Sequence, residues 1–440
     1  MESMSLSFES LLAYLNRAIA QTPDPRQSSN GTRYSLHDLI LGAFSVFFMQ
    51  CESFLEHQRY QQSHTGHNNG QSLFGLTAVP TAPQIRNVLD KIAVESLFDV
   101  FSWVYQALQK GGFLKGYECL GGQLLVALDG TQYFSSNTIH CNQCNHRTHS
   151  NGTTSYSHSA ILPVLVSPQQ AEAISLAPEF ITPQDGHEKQ DCEVAAAKRW
   201  IQGRQSDFKP FQVTLLGDDL YSRQPMCEAV IVAKMNFIFT CLPSSHPMLY
   251  ECLEMLEKLG EIKTLSVTKR HLKRLERYEY RYAHQLPLRD GEDALSVNWC
   301  ELTVFRNEEQ VYSNSWVTLH ELNDDSVVEV TAAGRCRWKT ENENHNVLKT
   351  KGYCLEHNFG HGEQYLSKVL LTLNLLAFLF HTVLQLVDQS YQKIRKQLVT
   401  RKGFFQDIRS LTKYLFFESW SVLIQFMISG KRLPETANSS

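Results

Sequence analysis

The sequence has no P-loop, no GxGxxG after a strand and no GxSxG elbow, so nucleotide-driven, dehydrogenase and serine-hydrolase chemistries find no support in it. It has no excess of positive charge. Its 41 Lys and Arg against 45 Asp and Glu leave a formal net charge of -4, which excludes a uniformly basic nucleic-acid binder but not local basic patches. It has few long apolar runs. The one from Val369 to Val387 carries Asn374, His381 and Gln385, and is expected to be a buried helix rather than a membrane span. The opening MESMSLSFES has an early glutamate, no basic segment and no apolar core, so no secretory leader is expected there. Internal repeats and low-complexity blocks are absent. The 11 cysteines are odd in number and scattered, mostly in apolar segments, which points to reduced thiols in a cytosolic chain.

What is present is a chain of 440 residues, 42% hydrophobic and 20% charged, suited to a soluble globular protein of about two to four domains. Residues 1–115 read as all-α. FESLLAYLNRAIA and SLHDLILGAFSVFFMQ place apolar residues at helical spacing, with Ser35 as an N-cap for the second. TAPQIRNVLDKI opens with Thr81 and Pro83, and helices continue to about Leu108 before Gly111-Gly112. QQSHTGHNNGQS (61–72) reads as a polar loop.

The period changes in 116–261. GQLLVALDGTQYF (122–134) predicts one buried strand ending in an acid, HSAILPVLVS and EAISLAPEFI further strands of a meander, and HEKQDCEVAAAKRWIQ (187–202) a helix with acids in its first turn. FQVTLLGDDLYS and NFIFTCLP are buried strands flanking the helix QPMCEAVIVAKM. This order predicts an α/β fold around a mixed sheet with an antiparallel edge. Residues 262–322 are rich in β-branched and aromatic residues and read as a β-rich insertion. Residues 323–365 open with a long helix over 323–349, capped by Asn323 or Asp324. Residues 366–440 are expected to give two or three helices and a disordered tail.

Asp129 and Asp218 both stand at the carboxyl ends of apolar strands. In a sheet of this order the two strands are neighbours, and their exit acids converge. Two close carboxylates are stable at neutral pH only with a shared proton or a cation, and all-oxygen ligation suits Mg²⁺ or Mn²⁺. A third carboxylate on the helix after 262–322 would complete a site able to hold two ions, as in-line phosphoryl transfer requires. Strand-end aspartates also cap turns, and Asp219, pointing away from Asp218 by strand alternation, is assigned a turn or supporting role.

Three blocks, ALDGTQYF, LLGDDLYSRQP and RCRWKTENENHNVLKTKGYCLEHNFGHG, together resemble bacterial insertion-sequence DDE transposases. These have an RNase-H-like catalytic core and a β-rich insertion before the final glutamate. The resemblance covers roughly 120–365. It implies that Asp129, Asp218 and Glu341 are the catalytic, metal-holding acids for two Mg²⁺ or Mn²⁺ ions. It also implies that Tyr221, Arg337 and Lys349 face DNA, with Gly334 replacing the family's tyrosine and Lys349 one residue beyond the usual spacing. Glu343 and Glu356 are rival third acids. Arg337 and Glu341, one helical turn apart, also suit an ordinary ion pair, and a guanidinium there is well shaped for a phosphate.

The implied activity is metal-dependent cleavage of double-stranded DNA at the element's terminal repeats, then strand transfer into target DNA. The implied protein is a cytoplasmic, bacterial homodimer that acts on DNA and not on membranes. The alternatives are a metal-dependent nuclease, a transposase-derived DNA-binding protein without transposition activity, or a glycosidase-like enzyme needing no divalent ion.

Two further constellations stand out. KTLSVTKRHLKRLERYEYRYAHQLPLR concentrates basic residues, among them Lys269, Arg270, Lys273 and Arg274, and suits backbone phosphates as well as a solvated ribbon. Trp299 and Trp316 suit base stacking or, more simply, core packing. Cys141 and Cys144 have the spacing of half a structural Zn²⁺ site, with His140, His146 and His149 nearby and His158 or Cys192 as remote ligands.

Overall fold

The computed structural model describes residues 6–27, 33–183, 192–271, 274–398 and 400–430. The helical start is as the periodicity predicts. α1 (Phe8–Gln21) begins at a capping box between Ser7 and Ser10. α2 (Leu36–Phe48) begins at Ser35, whose hydroxyl accepts the Asp38 N–H at 3.0 Å. α3 (Phe54–Gln61), α4 (His64–Phe74), α5 (Ala82–Leu89) and α6 (Asp99–Lys110) follow. Thr81 makes no side-chain cap bond, so the start of α5 rests on Pro83 in its first turn. α4 corrects the loop expected over 61–72. Its glycines and asparagines are poor helix formers, but the helix is held by what it docks on, as described below.

The expected single strand over 122–134 is two strands. β1 (Leu124–Ala127) belongs to one sheet and β2 (Gly130–Ser136) to another. After β3 (Asn145–Thr148), the chain mirrors this bend in β4 (Thr154–Ile161) and β5 (Val164–Val166). β1 pairs with β5 and β2 with β4, both antiparallel, so one kinked strand pair serves both sheets. At the kink, Pro163 has no N–H to give, and Leu128 donates its N–H to the Leu216 carbonyl at 2.9 Å. β6 (Ile174–Ser175) and β7 (Glu179–Ile181) end this segment, with β7 pairing to β4. Of the helix expected over 187–202, residues 187–191 lie outside the described residues, and α7 runs Glu193–Arg204. β8 (Val213–Gly217), α8 (Gln224–Val232) and β9 (Asn236–Thr240) follow in the predicted order, and α9 (Pro247–Leu259) adds a helix that was not expected.

β10 (Lys263–His271), β11 (Arg274–Pro287), β12 (Ser296–Arg306) and β13 (Glu309–Thr318) form an antiparallel ribbon. The ribbon extends the main sheet, because β13 pairs with β9 at Val317 and Phe239. The result is a nine-stranded mixed sheet in the order β10-β11-β12-β13-β9-β8-β1-β5-β6. Among the described residues its only parallel pairs are β1 with β8 and β8 with β9.

The long helix expected over 323–349 is interrupted. α10 (Ser326–Arg335) starts at Asn323, whose Oδ1 accepts the Asp325 and Ser326 N–H groups. A wide π-type turn follows at Thr340–His345, then α11 (Asn346–Thr350).

The remainder is four helices rather than two or three: α12 (Leu366–Val387), α13 (Gln389–Gln397), α14 (Arg401–Tyr414) and α15 (Trp420–Ser429). The expected tail, 431–440, lies outside the described residues. α12 is long and apolar enough to cross a membrane, but 89% of its most apolar window is buried in protein. Its Asn374 donates to the Tyr353 carbonyl at 2.9 Å, and Tyr353 meets His381 at 2.7 Å. α12 packs on α2 through Phe44 and Phe380, whose ring centroids lie 5.3 Å apart. α4 docks on α14: Asn69 donates to the carbonyls of Thr412 and Leu415 and accepts the Phe417 N–H. The helices from the two ends of the chain therefore share one body.

α10 lies so close to β13 that a Cβ at Gly334 would stand 2.7 Å from Trp316 Nε1 and 2.8 Å from its Cε2. This accounts for a glycine within a helix. Gly→Ala in an exposed helix interior is worth up to about 1 kcal/mol of stabilisation. Here the sign reverses, and Gly334→Ala is expected to destabilise by about 1–3 kcal/mol in urea denaturation, with Trp316→Phe in the same chain relieving part of the loss.

Candidate active site

The parallel register pairs Ala127 with Leu216. The residues that follow, Asp129 and Asp218, therefore leave the same edge of adjacent strands. Asp218 is half-buried and its Oδ1 accepts the Leu220 N–H at 2.8 Å. Asp129 sits at the kink between the two sheets with only 18% of its side chain exposed.

The wide turn after α10 brings the third element over this edge. Arg337 Nη2 lies 2.9 Å from Glu341 Oε1, and Arg337 Nη1 lies 3.9 Å from Asp129 Oδ2. Glu341 is thus joined to Asp129 through a guanidinium, with its own side chain 54% exposed. His345, at the end of the same turn, places Nδ1 3.6 Å from Asp129 Oδ2. Burial holds His345 down at about 4, helped by Lys349 and Arg337, so it is neutral at pH 7. Its Nε2 and both side-chain polar atoms of Asn344 are buried without a protein partner, which is uncommon in a finished interior.

A further acid, overlooked in the sequence, belongs here. Glu193 Oε1 accepts the Gly130 N–H at 3.1 Å and the Tyr221 hydroxyl at 2.7 Å. A Cβ on Gly130 would collide with this carboxylate, so a larger residue after Asp129 would push the Glu193 side chain out of its present place. Position in the first turn of α7 gave Glu193 a sufficient local role as a partner of the helix dipole, and no sequence signal tied it to Asp129.

These groups act together on Asp129. Burial first pushes its carboxyl up to about 7; Arg337 opposes this, and Glu193, Glu341 and Asp218 add to it. An acid so crowded accommodates a proton or a cation.

The remaining acids separate cleanly. Asp219 accepts the Leu242 N–H at 2.8 Å and the Ser245 hydroxyl, a turn-holding role as expected. Glu356 pairs with Lys349 at 2.8 Å, which engages both that rival acid and the lysine. Glu343 is half-buried on the wide turn.

Tyr221 is fully buried, so it supports Glu193 from within and presents no surface to DNA, contrary to expectation. Lys269 and Arg270 are exposed on β10, whereas Lys273 and the Arg274 side chain lie outside the described residues. Several arginines of the same ribbon are engaged by acids: Arg277 by Glu279 and Glu308, Arg281 by Glu257 and Glu301, Arg289 by Asp293. Trp299 and Trp316 are core residues.

Among the described residues, one group of ligand-type side chains has donor atoms all within 4.8 Å of one another: Cys141, Cys144, His158 and His361. The acids are not gathered as tightly. His158 was an expected remote ligand, and His361 was missed. Cys192 is exposed ahead of α7 and stands outside this group. His140 stacks on Tyr156 at 4.5 Å and His149 meets Ser155 at 2.9 Å, so neither completes the set. His146 is not in it either.

The elevated Asp129 has a consequence for stability. Its proton is held more tightly in the folded chain than at the ordinary value of 3.8, so in chelator the protein loses stability as pH rises from 3.8 to about 7. Asp129→Asn removes that loss and is expected to melt a few degrees higher than the parent above pH 7, as scanning calorimetry would read. Glu193→Gln, which removes a neighbouring charge, should lower the Asp129 titration midpoint followed by NMR.

No family model and no curated protein matches the sequence. Among solved structures, the chain is similar to a piggyBac transposase in a synaptic complex with hairpin DNA. Identity is 9% over 98% of this chain and 84% of that one, with a TM-score of 0.40. The case for a function rests on the side chains.

Proposed function

We propose that this chain is a DDE-type DNA transposase. In this proposal Asp129, Asp218 and Glu341 cut double-stranded DNA at the ends of an insertion sequence and join the freed end to a target. The observation that carries it is the crowding around Asp129: two strand-exit acids on adjacent parallel strands, with a third brought over them by Arg337. The parallel strands, with α10 and its wide turn lying across them, suit an RNase-H-like core.

The donor set fits a hard divalent ion. Asp129, Asp218 and Glu341 offer only carboxylate oxygens, and the Asp129 carboxylate, disfavoured by burial and then by its acidic neighbours, would be stabilised by a cation. These three residues would hold Mg²⁺ or Mn²⁺, two ions in the full site. When bound, such ions supply electrostatic stabilisation of the attacking and leaving oxygens of phosphoryl transfer. The chain's own part is positioning. Glu193 holds the backbone after Asp129 through the Gly130 N–H, and Tyr221 holds Glu193. Arg337, 24% exposed between Asp129 and Glu341, would exchange these partners for a DNA phosphate, for which its planar fork is suited. Lys269 and Arg270 lie on an exposed strand and would contact the DNA backbone. Two element ends call for two protomers, hence a dimer on DNA in a bacterial cytoplasm.

The test is a plasmid carrying the gene with the DNA that flanks it, incubated with the protein and Mg²⁺ or with EDTA. Expected is cleavage at the element ends and joining with Mg²⁺ only. Asp129→Asn, Asp218→Asn and Glu341→Gln should each fall by roughly a thousandfold, about 4 kcal/mol of transition-state stabilisation. Full cleavage by Asp129→Asn, or cleavage in EDTA, would overturn the assignment. Cleavage without joining would make the chain a nuclease, and binding without cleavage a DNA-binding derivative.

Arg337→Ala is expected to slow cleavage by about a hundredfold with only partial recovery in Arg337→Lys, because an ammonium cannot reproduce the two-point contact. Single-turnover rates would measure this.

A further inference from the structure

Cys141 and Cys144 lie in the turn between β2 and β3, His158 on β4, and His361 in the segment before α12. Their donor atoms face a common point. The two sulfurs are 3.9 Å apart. His158 Nε2 is 3.7 Å from Cys141 Sγ and 3.4 Å from Cys144 Sγ. His361 Nε2 is 3.3 Å from Cys144 Sγ, and the two Nε2 atoms are 3.1 Å apart. A tetrahedron with Zn–S of about 2.3 Å and Zn–N of about 2.0–2.1 Å has edges of about 3.8, 3.5 and 3.3 Å for S–S, S–N and N–N. Five of the six edges lie within about 0.2 Å of those values, and the sixth, between Cys141 and His361, is within 4.8 Å. A disulfide would need about 2.05 Å between the sulfurs.

His361 Nδ1 lies 2.8 Å from the Gly362 carbonyl, a contact that places a proton on Nδ1, so that in the neutral ring Nε2, the atom near the two sulfurs, carries the lone pair a metal needs. A neighbour fixing the tautomer through the other ring nitrogen is the usual support of a metal-binding histidine. His158 is 2% exposed and Cys144 5%. Aromatic rings close the site: Phe134 lies 4.5 Å from the His361 ring, and Tyr133 stacks on His158 at 5.8 Å.

We propose that Cys141, Cys144, His158 and His361 bind one structural zinc ion, which fastens the segment before α12 to the second sheet. Four protein ligands leave no open position, as in structural rather than catalytic zinc sites. The benefit is positional. Cys144 and His361 are 217 residues apart in sequence, so the ion closes a very long loop, and its binding energy becomes folding energy. The same segment is held from the opposite side by the amino-terminal helices. Asp90 accepts the N–H groups of Glu363, Gln364, Tyr365 and Leu366, and Arg86 donates to the Phe359 carbonyl. The ion therefore joins the sheet that starts at Asp129 to the helical body. Nothing in this depends on the reading of the acidic site.

Protein purified from zinc-supplemented cells should retain one zinc per chain through dialysis. X-ray absorption at the zinc edge should give two sulfur and two nitrogen neighbours, and cobalt exchange should give the intense visible absorption of a tetrahedral thiolate site. His361→Ala and Cys144→Ser should lose the ion and melt several degrees lower, while Cys192→Ser keeps both. Should the ligand variants fail to fold, the absorption measurement on the parent decides: any other ligand shell overturns the proposal. Zinc-free folded protein whose melting ignores chelators, or a Cys141–Cys144 disulfide found by mass spectrometry, would overturn it as well.

Discussion

The parallel pairing of β1 with β8 is the constraint that the acidic site inherits. Ala127 opposite Leu216 leaves little freedom in where Asp129 and Asp218 emerge, because both strands are buried along their length and a slip of one residue would exchange the side chains packed in the two cores on either face of the sheet. The charge problem at Asp129 is thus imposed by the sheet, not by the acids' own preferences. The fold answers it in part with Arg337, whose guanidinium lies between Asp129 and Glu341 and opposes the effect of Glu193, Glu341 and Asp218 on Asp129. Burial, with the neighbouring acids adding to it, still leaves the Asp129 carboxyl raised, the condition under which a proton or a cation is taken up.

The kink at Leu128-Asp129 has a second effect. By carrying the strand pair into another sheet, it puts the acids at one end of β2 and β4 and the cysteine–histidine cluster towards the other. The segment ending in His361 then reaches α12, which is packed among helices from the start of the chain. Three regions far apart in sequence meet around this short stretch, and each contact is a backbone or side-chain hydrogen bond, a ring contact or a cluster member that can be named.

Elements with their own local signal were legible. Ser35 before an apolar-periodic run gave α2 and its cap. Apolar runs ending in acids gave β1 and β8, and their order in the chain made them neighbours. Elements defined by partners were not. α4 has little helical propensity and exists because Asn69 satisfies the end of α14. The break of the helix after Arg335 is a wide turn, so Glu341 and Glu343 are not related by the 3.6 residues per turn of a continuous α-helix. Tyr221 carried a family pattern but no information on exposure, and it is buried against Glu193.

Local chemistry along the chain determined the kinds of parts: helices at each end, apolar strands with acids at their exits, a β ribbon, and a cysteine pair with half of a metal site. The tertiary structure decided which parts meet. Only the kinked strand pair brings Glu193 under Asp129, only the wide turn sets Arg337 between Asp129 and Glu341, and only the return of the chain before α12 carries His361 to Cys144. Periodicity and capping act within a few residues, whereas these convergences are set by sheet register and by packing across hundreds of residues, which no local pattern encodes.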